Sequence, residues 1–433
     1  MKPLSIITQR YRSILALLLA LCVLAFPMSK ALTAPASHET IPSTGIVCTT
    51  NPSATFTLTA KEGYINMTDG NIIYMWGYAL GKDDFQYPGP VLCVNQGDKV
   101  TIVLHNTLRE DTSIIFPGQK SVTANGIPAQ PQFDAGGSLT SLTTSAAAST
   151  GTVTYSFVAS EPGTFLYESG TNPGIQVQMG LAGALIVRPS MGANYAYNRA
   201  DTQFNPATEY ILMLSEIDPL LHQAIERNQS FDLRTYQARY FLINGRTFPD
   251  TLAPNGASWL PSQPYGSLAR IHPYDAVQNP LPALARYIGL GVEVYPFHPH
   301  AFNSRVIARD GHALEGPLGE DLTYEKFSIS VGPGQTTDAL FSWTDNYGWN
   351  PTDPQLPVTL PSDQNLTIGP FWGSAYLGTQ ETLPVGTTSY NQCGEFYHIA
   401  HNHALQQVAG WGVTLIGQVT FTRIDPPLPN NCP

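Results

Sequence analysis

The run YPGPVLCVNQGDKVTIVLHN, residues 87–106, is the feature that most restricts the fold. Proline and glycine open it, a turn at Gly97-Asp98 divides it, and Val100, Ile102 and Leu104 fall on one face of its second half. Apolar residues at every second position describe a half-buried strand, and Gly/Pro/Asn punctuation between short strands describes a sandwich of sheets. The same pattern recurs in ATFTLTA (54–60), GTVTYSFVA (151–159), GTFLYES (163–169) and GLAGALIVRP (180–189). The low-complexity stretch SLTTSAAASTGT, 141–152, reads as a loop between them. A polar, turn-rich link over 190–208 precedes a second series. This series comprises EYILMLSEI, RYFLING, LARYIGLGVEVYPFHPH, RVIAR, KFSISVGPGQTTDALFSW, EFYHIAHNH and GVTLIGQVTFTRI. One short helix is expected, at IDPLLHQAIER (217–227). Charged residues are only 12% of the chain, and Gly (37) and Pro (36) are abundant, which suits strands and turns better than amphipathic helices. The expectation is an all-β protein of two β-sandwich domains, at about 48–190 and 205–425, with a Pro/Gly/Thr-rich insertion over 345–392.

The N-terminus reads differently. Lys2, Arg10 and Arg12 precede the apolar run SILALLLALCVLAF, and MSKALTAPA then offers small residues near Ala31 and Ala34. This is the layout of a secretory signal peptide over 1–34, with an uncleaved anchor as the alternative, although the run is short for a membrane span. No later stretch is long and apolar enough to span a membrane. The expected location is outside the cytoplasm: secreted, periplasmic or at the cell surface. Cleavage after Ala31 would remove four basic residues and no acid, taking the net charge from −11 to near −15. No cluster of Lys and Arg offers a basic face to nucleic acid. Four cysteines remain, Cys48, Cys93, Cys393 and Cys432. In an exported chain an even number reads as disulfides. The preferred pairing is Cys48–Cys93 with Cys393–Cys432. A free Cys393 acting as a metal ligand stays open.

Five of the ten histidines lie in two short motifs: His298 and His300 in YPFHPHAFNSRVIARDG, and His398, His401 and His403 in EFYHIAHNHALQQVAGWG. In a strand, residues two apart share a face, so His298 and His300 pair, as do His401 and His403. Neutral imidazole is the commonest protein ligand for copper and zinc. Two His-x-His pairs in one β-domain therefore mark a candidate metal site. The alternative is a polar pocket in which the rings bond to carbonyls.

These motifs, in this order, resemble the multicopper oxidase family, built of cupredoxin-like Greek-key β-sandwich domains. YPGPVLCVNQGDKVTIVLHNTL resembles the family's opening strands, and PGTFLYESG with QVQMGLAGALIVRP resembles the end of its first domain. YPFHPHAFNSRVIARDG resembles its His-Pro-x-His-x-His segment, and EFYHIAHNHALQQVAGWG its closing His-Cys-His segment. The resemblance implies copper and a laccase-like architecture, and by analogy a homo-oligomer, often a trimer. It also exposes departures. Where the family's first-domain histidine pairs belong, Ile115 and Pro117, then Glu168 and Gly170, stand instead. Tyr295 replaces the first histidine of the second-domain motif, Asn402 the blue-copper cysteine, Gln407 the later type 1 histidine, and Gly412 the axial position. A register starting at His398 is an alternative, and it too supplies no cysteine.

A blue site needs a thiolate, so the implied copper is a type 2-like ion, or two, on His298, His300, His401, His403 and His398, with Zn(II) as a rival metal. Three functions are open on this reading: an exported copper-binding protein, a copper-dependent oxidoreductase acting on a small substrate or metal ion, and a non-catalytic structural or surface sandwich.

Overall fold

A computed structural model describes residues 44–345, 357–359, 388–390 and 396–430. The expected signal peptide, Cys393, Cys432 and most of the 345–392 insertion lie outside the described residues. Within that insertion, Pro357–Thr359 and Thr388–Tyr390 pair as antiparallel strands.

The expected strands form, and the alternation seen in sequence sets which side is buried. Thr55–Asn66 is sandwiched between Ile72–Leu80, antiparallel, and Lys99–Asn106, parallel. Leu58, Ala60, Tyr78, Val100, Ile102 and Leu104 all point inward with no exposure. Thr152–Val158 extends this sheet. Across the core stands a three-stranded sheet of Gly163–Glu168, Ala182–Arg188 and Leu92–Asn95.

A second pair of sheets completes the architecture. One has the order Tyr240–Ile243, Glu209–Ile217, Ala283–Gly289, Thr336–Phe341, Ser304–Arg309 and His312–Ala313. The other has the order Ala269–Ile271, Val419–Ile424, Phe396–Asn402, Tyr295–Pro299 and Ile329–Val331. Leu214, Ala285, Tyr295, Phe297, Val331 and Ile424 fill the space between them. The protein is thus all-β, as the sequence predicts. The two sandwiches share an apolar seam in which Val91, Leu166, Ala184 and Ile186 of the first meet Ile211, Met213, Ile288 and Leu290 of the second.

The expected helix spans Pro219–Glu226. The Asp218 side chain caps it by accepting from the Leu220 N–H at 2.9 Å, and Pro219 occupies the first turn where its missing donor costs nothing. A second helix, Pro173–Gln176, has four residues and is too short to leave a periodic signal. Among the described residues no helix is long and apolar enough to cross a membrane. Cys48 and Cys93 form the expected disulfide.

Candidate metal centre

Strand register builds the site. Tyr295–Pro299 runs antiparallel to Phe396–Asn402, and His298 lies directly opposite His401. The ladder continues past the strand ends, with the His300 N–H donating to the Ile399 carbonyl at 3.0 Å and the His403 N–H to the Pro296 carbonyl at 2.7 Å. Because each His-x-His pair keeps one face, this register gathers His298, His300, His401 and His403 into one block on the outer side of the sheet. Their neighbours Phe297 and Asn402 face inward and are buried. Ring centroids are 4.6 Å apart for His298–His300, 5.3 Å for His298–His403, 5.2 Å for His300–His401, and 5.7 Å for both His298–His401 and His401–His403. His398 is an odd number of residues from His401 along the strand. Its buried ring packs near Trp343, with centroids 6.0 Å apart.

Two carbonyls choose the tautomers. His298 Nδ1 lies 2.5 Å from the Phe327 carbonyl, and His401 Nδ1 lies 2.8 Å from the Asn402 carbonyl. A carbonyl only accepts, so each Nδ1 carries a proton, and in the neutral form of either ring Nε2 is the nitrogen with the lone pair. His300 Nε2 and His401 Nε2 stand 3.2 Å apart. Two nitrogens bound to one ion in tetrahedral geometry at about 2.0 Å would be separated by roughly 3.3 Å. Burial, and then the neighbouring imidazoles, push His300 down to about 4. Burial pushes His398 down to about 4. Burial also lowers His401, outweighing the opposing hydrogen bond to Asn402. These three rings are therefore neutral at pH 7, the form that binds metal. Among the described residues no three His, Cys, Asp or Glu groups already converge on an ion position. The donor set suits copper or zinc in kind and tautomer, without being clamped around a point.

The positions where the resemblance expects other ligands carry a different chemistry. The Tyr295 hydroxyl donates to Glu216, a buried carboxylate that also accepts from Val292 N–H at 2.9 Å, Tyr236 at 3.0 Å and Gln178 at 3.0 Å. Asn402 donates to Gln407, and Gln407 to Glu293 at 2.6 Å. Gly412 belongs to a tight turn closed by paired hydrogen bonds between Gly410 and Val413. In the first sandwich, Ile115 and Glu168 pair through their backbones, and a Cβ added to Gly170 would lie 2.7 Å from Ile115 Cγ2. Ile115, Glu168 and Gly170 are thus brought to one place. Burial pushes the Glu168 carboxyl up to about 7. The roles of Phe327, Glu216 and Glu293 leave no mark in sequence, because their partners are distant along the chain.

Residues 82–192 match the family model described as multicopper oxidase. A 106-residue stretch is 33% identical to multicopper oxidase CTB12 of Cercospora beticola, covering 23% of this chain and 14% of that protein. A 130-residue stretch is 30% identical to copper resistance protein A of Escherichia coli, covering 30% of this chain and 18% of that protein. The chain thus matches less than a fifth of either curated relative's length. Among solved structures, the multicopper oxidase mgLAC shares the fold at TM-score 0.56 and 18% identity over 87% of each chain. The blue copper oxidase from Nitrosomonas europaea gives TM-score 0.56 and 18% identity over 86% of this chain and 85% of that one. Residues 82–192 thus resemble a multicopper oxidase domain, and the chain shares its fold with these solved multicopper oxidases.

Proposed function

We propose that this protein is an exported copper-binding member of the multicopper oxidase family, holding one type 2-like copper ion on His298, His300, His401 and His403, with His398 behind them. The observation that carries this reading is the in-register block of imidazoles, in which His300 Nε2 and His401 Nε2 stand 3.2 Å apart. Copper held by imidazoles supplies a one-electron redox centre and a Lewis acid. The chain's part is to present rings with fixed tautomers. The Phe327 and Asn402 carbonyls do this for His298 and His401. Asn402, Tyr295 and Gln407, which the resemblance aligns with the type 1 positions, offer no thiolate among the described residues, and their polar groups are engaged with each other and with Glu216 and Glu293. The reading is therefore binding and transfer of copper rather than blue-copper electron transfer.

The test is metal content with an EPR spectrum on protein loaded with Cu(II) and dialysed, beside a His298→Ala/His300→Ala variant. About one copper per chain with a type 2 signal, lost in the variant, is expected. Zinc retained in preference to copper would reassign the metal, and no metal above the variant's level would remove the site altogether.

Exposed apolar residues stand near the block, among them Phe327 (60%), Val294 (57%) and Leu405 (66%). They fit coverage by another copy of the chain, in keeping with the trimer that the family resemblance implies. Light scattering on the loaded protein is expected to give a mass near three chains; a monomer's mass would reject this assembly.

A further inference from the structure

The inner side of the imidazole block is held by amides. Asn402 lies between His401 and His403 in sequence, points into the core and is fully buried. Its Nδ2 donates to Gln407 Oε1 and, at 2.7 Å, to Gln418 Oε1. Its Oδ1 accepts from the Ala404 N–H at 2.8 Å, closing a turn two residues on. Gln418 passes the connection inward, its Nε2 donating to the Ser215 and Leu242 carbonyls at 3.1 Å each. Gln407 passes it sideways, to Glu293 at 2.6 Å and the Val294 carbonyl at 3.2 Å. Both polar atoms of all three amides are used.

This network sits where the ladder ends. His401 opposite Val419 is the last pair that its strand makes with Val419–Ile424. Beyond it the strand continues along Tyr295–Pro299, with Asn402 opposite Phe297 and the His403 N–H crossing to the Pro296 carbonyl. The peptide plane after Asn402, held on one side by that bond, carries the carbonyl that fixes the His401 tautomer. The side-chain bonds of Asn402 to Gln407, Gln418 and the Ala404 N–H hold the residue that carries this plane from the core side.

We infer that Asn402, with Gln407 and Gln418, forms a positioning device for the copper site, setting the tautomer of His401 and the direction of His403. This rests on the copper reading for its purpose but not for its geometry. Partners of this kind, once removed, typically cost ten- to a hundredfold in metal affinity. Asparagine is specific here: aspartate has the acceptor without the two donors, and leucine has neither.

The experiment compares wild type with Asn402→Asp and the milder Gln407→Met, which cuts only the sideways connection. In metal-free protein, long-range proton–nitrogen NMR of the imidazoles reads each tautomer. Wild type is expected to show His298 and His401 protonated at Nδ1. In Asn402→Asp, His401 is expected to lose that preference while His298, held by Phe327, keeps it. Competition with a chelator of known affinity is then expected to show Cu(II) bound about tenfold more weakly in Gln407→Met and up to a hundredfold more weakly in Asn402→Asp, with altered EPR hyperfine splitting. Should Asn402→Asp not fold, Gln407→Met carries the same two readouts. Unchanged tautomers and unchanged affinity would overturn the positioning role. Wild type that binds no copper, yet shows the tautomer change in the variant, would defeat the copper reading and leave the positioning role standing.

Discussion

Replacing Arg286 with alanine is expected to lower the unfolding free energy by about 3–5 kcal/mol, the cost of leaving buried charge without its partner. Arg286 is 1% exposed at the seam between the two sandwiches. Its guanidinium donates to Glu209 at 2.6 Å, to Thr164 Oγ1 at 2.8 Å and to Asp338 at 3.3 Å. Arg188 also donates to Glu209, at 2.6 Å, so removing Arg286 leaves Glu209 half compensated. Among the described residues, Asp338 would keep the hydroxyls of Thr164 at 2.6 Å and Tyr197 at 2.7 Å as side-chain partners. The sign with pH is set by the two carboxylates. Burial alone would raise Glu209, but Arg286 and Arg188 together hold it below its ordinary value. Its contribution is therefore present above the unfolded-state value of about 4.3 and is lost as the pH falls through the lowered folded value. Burial raises Asp338 in spite of Arg286. Its contribution is full below the unfolded value of about 3.9 and declines as the pH rises through the folded one. Without Arg286 both carboxyls move up, so the variant's deficit is largest near neutrality and shrinks below about pH 4. Chemical denaturation at pH 7 and pH 3.5 checks this. A deficit below about 1 kcal/mol at pH 7, the level of an exposed pair, would show that these charges are hydrated.

Removing the Cys48–Cys93 bond, by reductant or by a Cys48→Ser/Cys93→Ala variant, is expected to cost about 4 kcal/mol from loop-closure entropy alone. The two cysteines are separated by 45 residues in sequence and their Cα atoms by 5.5 Å. The bond fastens the leading segment, in which the Thr49 N–H donates to the Val91 carbonyl at 2.7 Å, the Cys93 N–H donates to the Thr49 carbonyl at 2.9 Å, and the Ile46 N–H donates to the Glu209 backbone carbonyl at 2.8 Å. Without it that segment frays from the strand that opens the first sandwich. Denaturation midpoints with and without reductant measure the effect, and identical midpoints would mean that the bond does not form in the folded protein.

The sequence revealed the features that depend on local pattern. Val100, Ile102 and Leu104 announced a strand and its buried face, and the spacing of His298 with His300 announced a shared face. Register was not legible: nothing local places His298 opposite His401 rather than two residues away. His398 shows the same limit, since proximity in sequence suggested a fifth member of the block and strand parity turns its ring toward Trp343 instead. Arg286 sits in ALARYIG, which reads as an apolar strand interrupted by one charge. Only the arrival of Glu209 and Asp338 from other strands explains why a guanidinium is tolerated there. Of the Asn402 network, Gln407 was near enough to notice, whereas Gln418 and Glu293 reach it through tertiary folding alone.

The pairing of His298 with His401 has a thermodynamic consequence. If an ion is held by rings from both strands as proposed, it would favour the folded chain over the unfolded one and act as a removable cross-link between Tyr295–Pro299 and Phe396–Asn402. By mass action, free metal at a thousand times its dissociation constant would add about 4 kcal/mol to stability. The resistance of this protein to unfolding would then track the supply of metal around it, and scarcity would shorten its lifetime before it altered any chemistry.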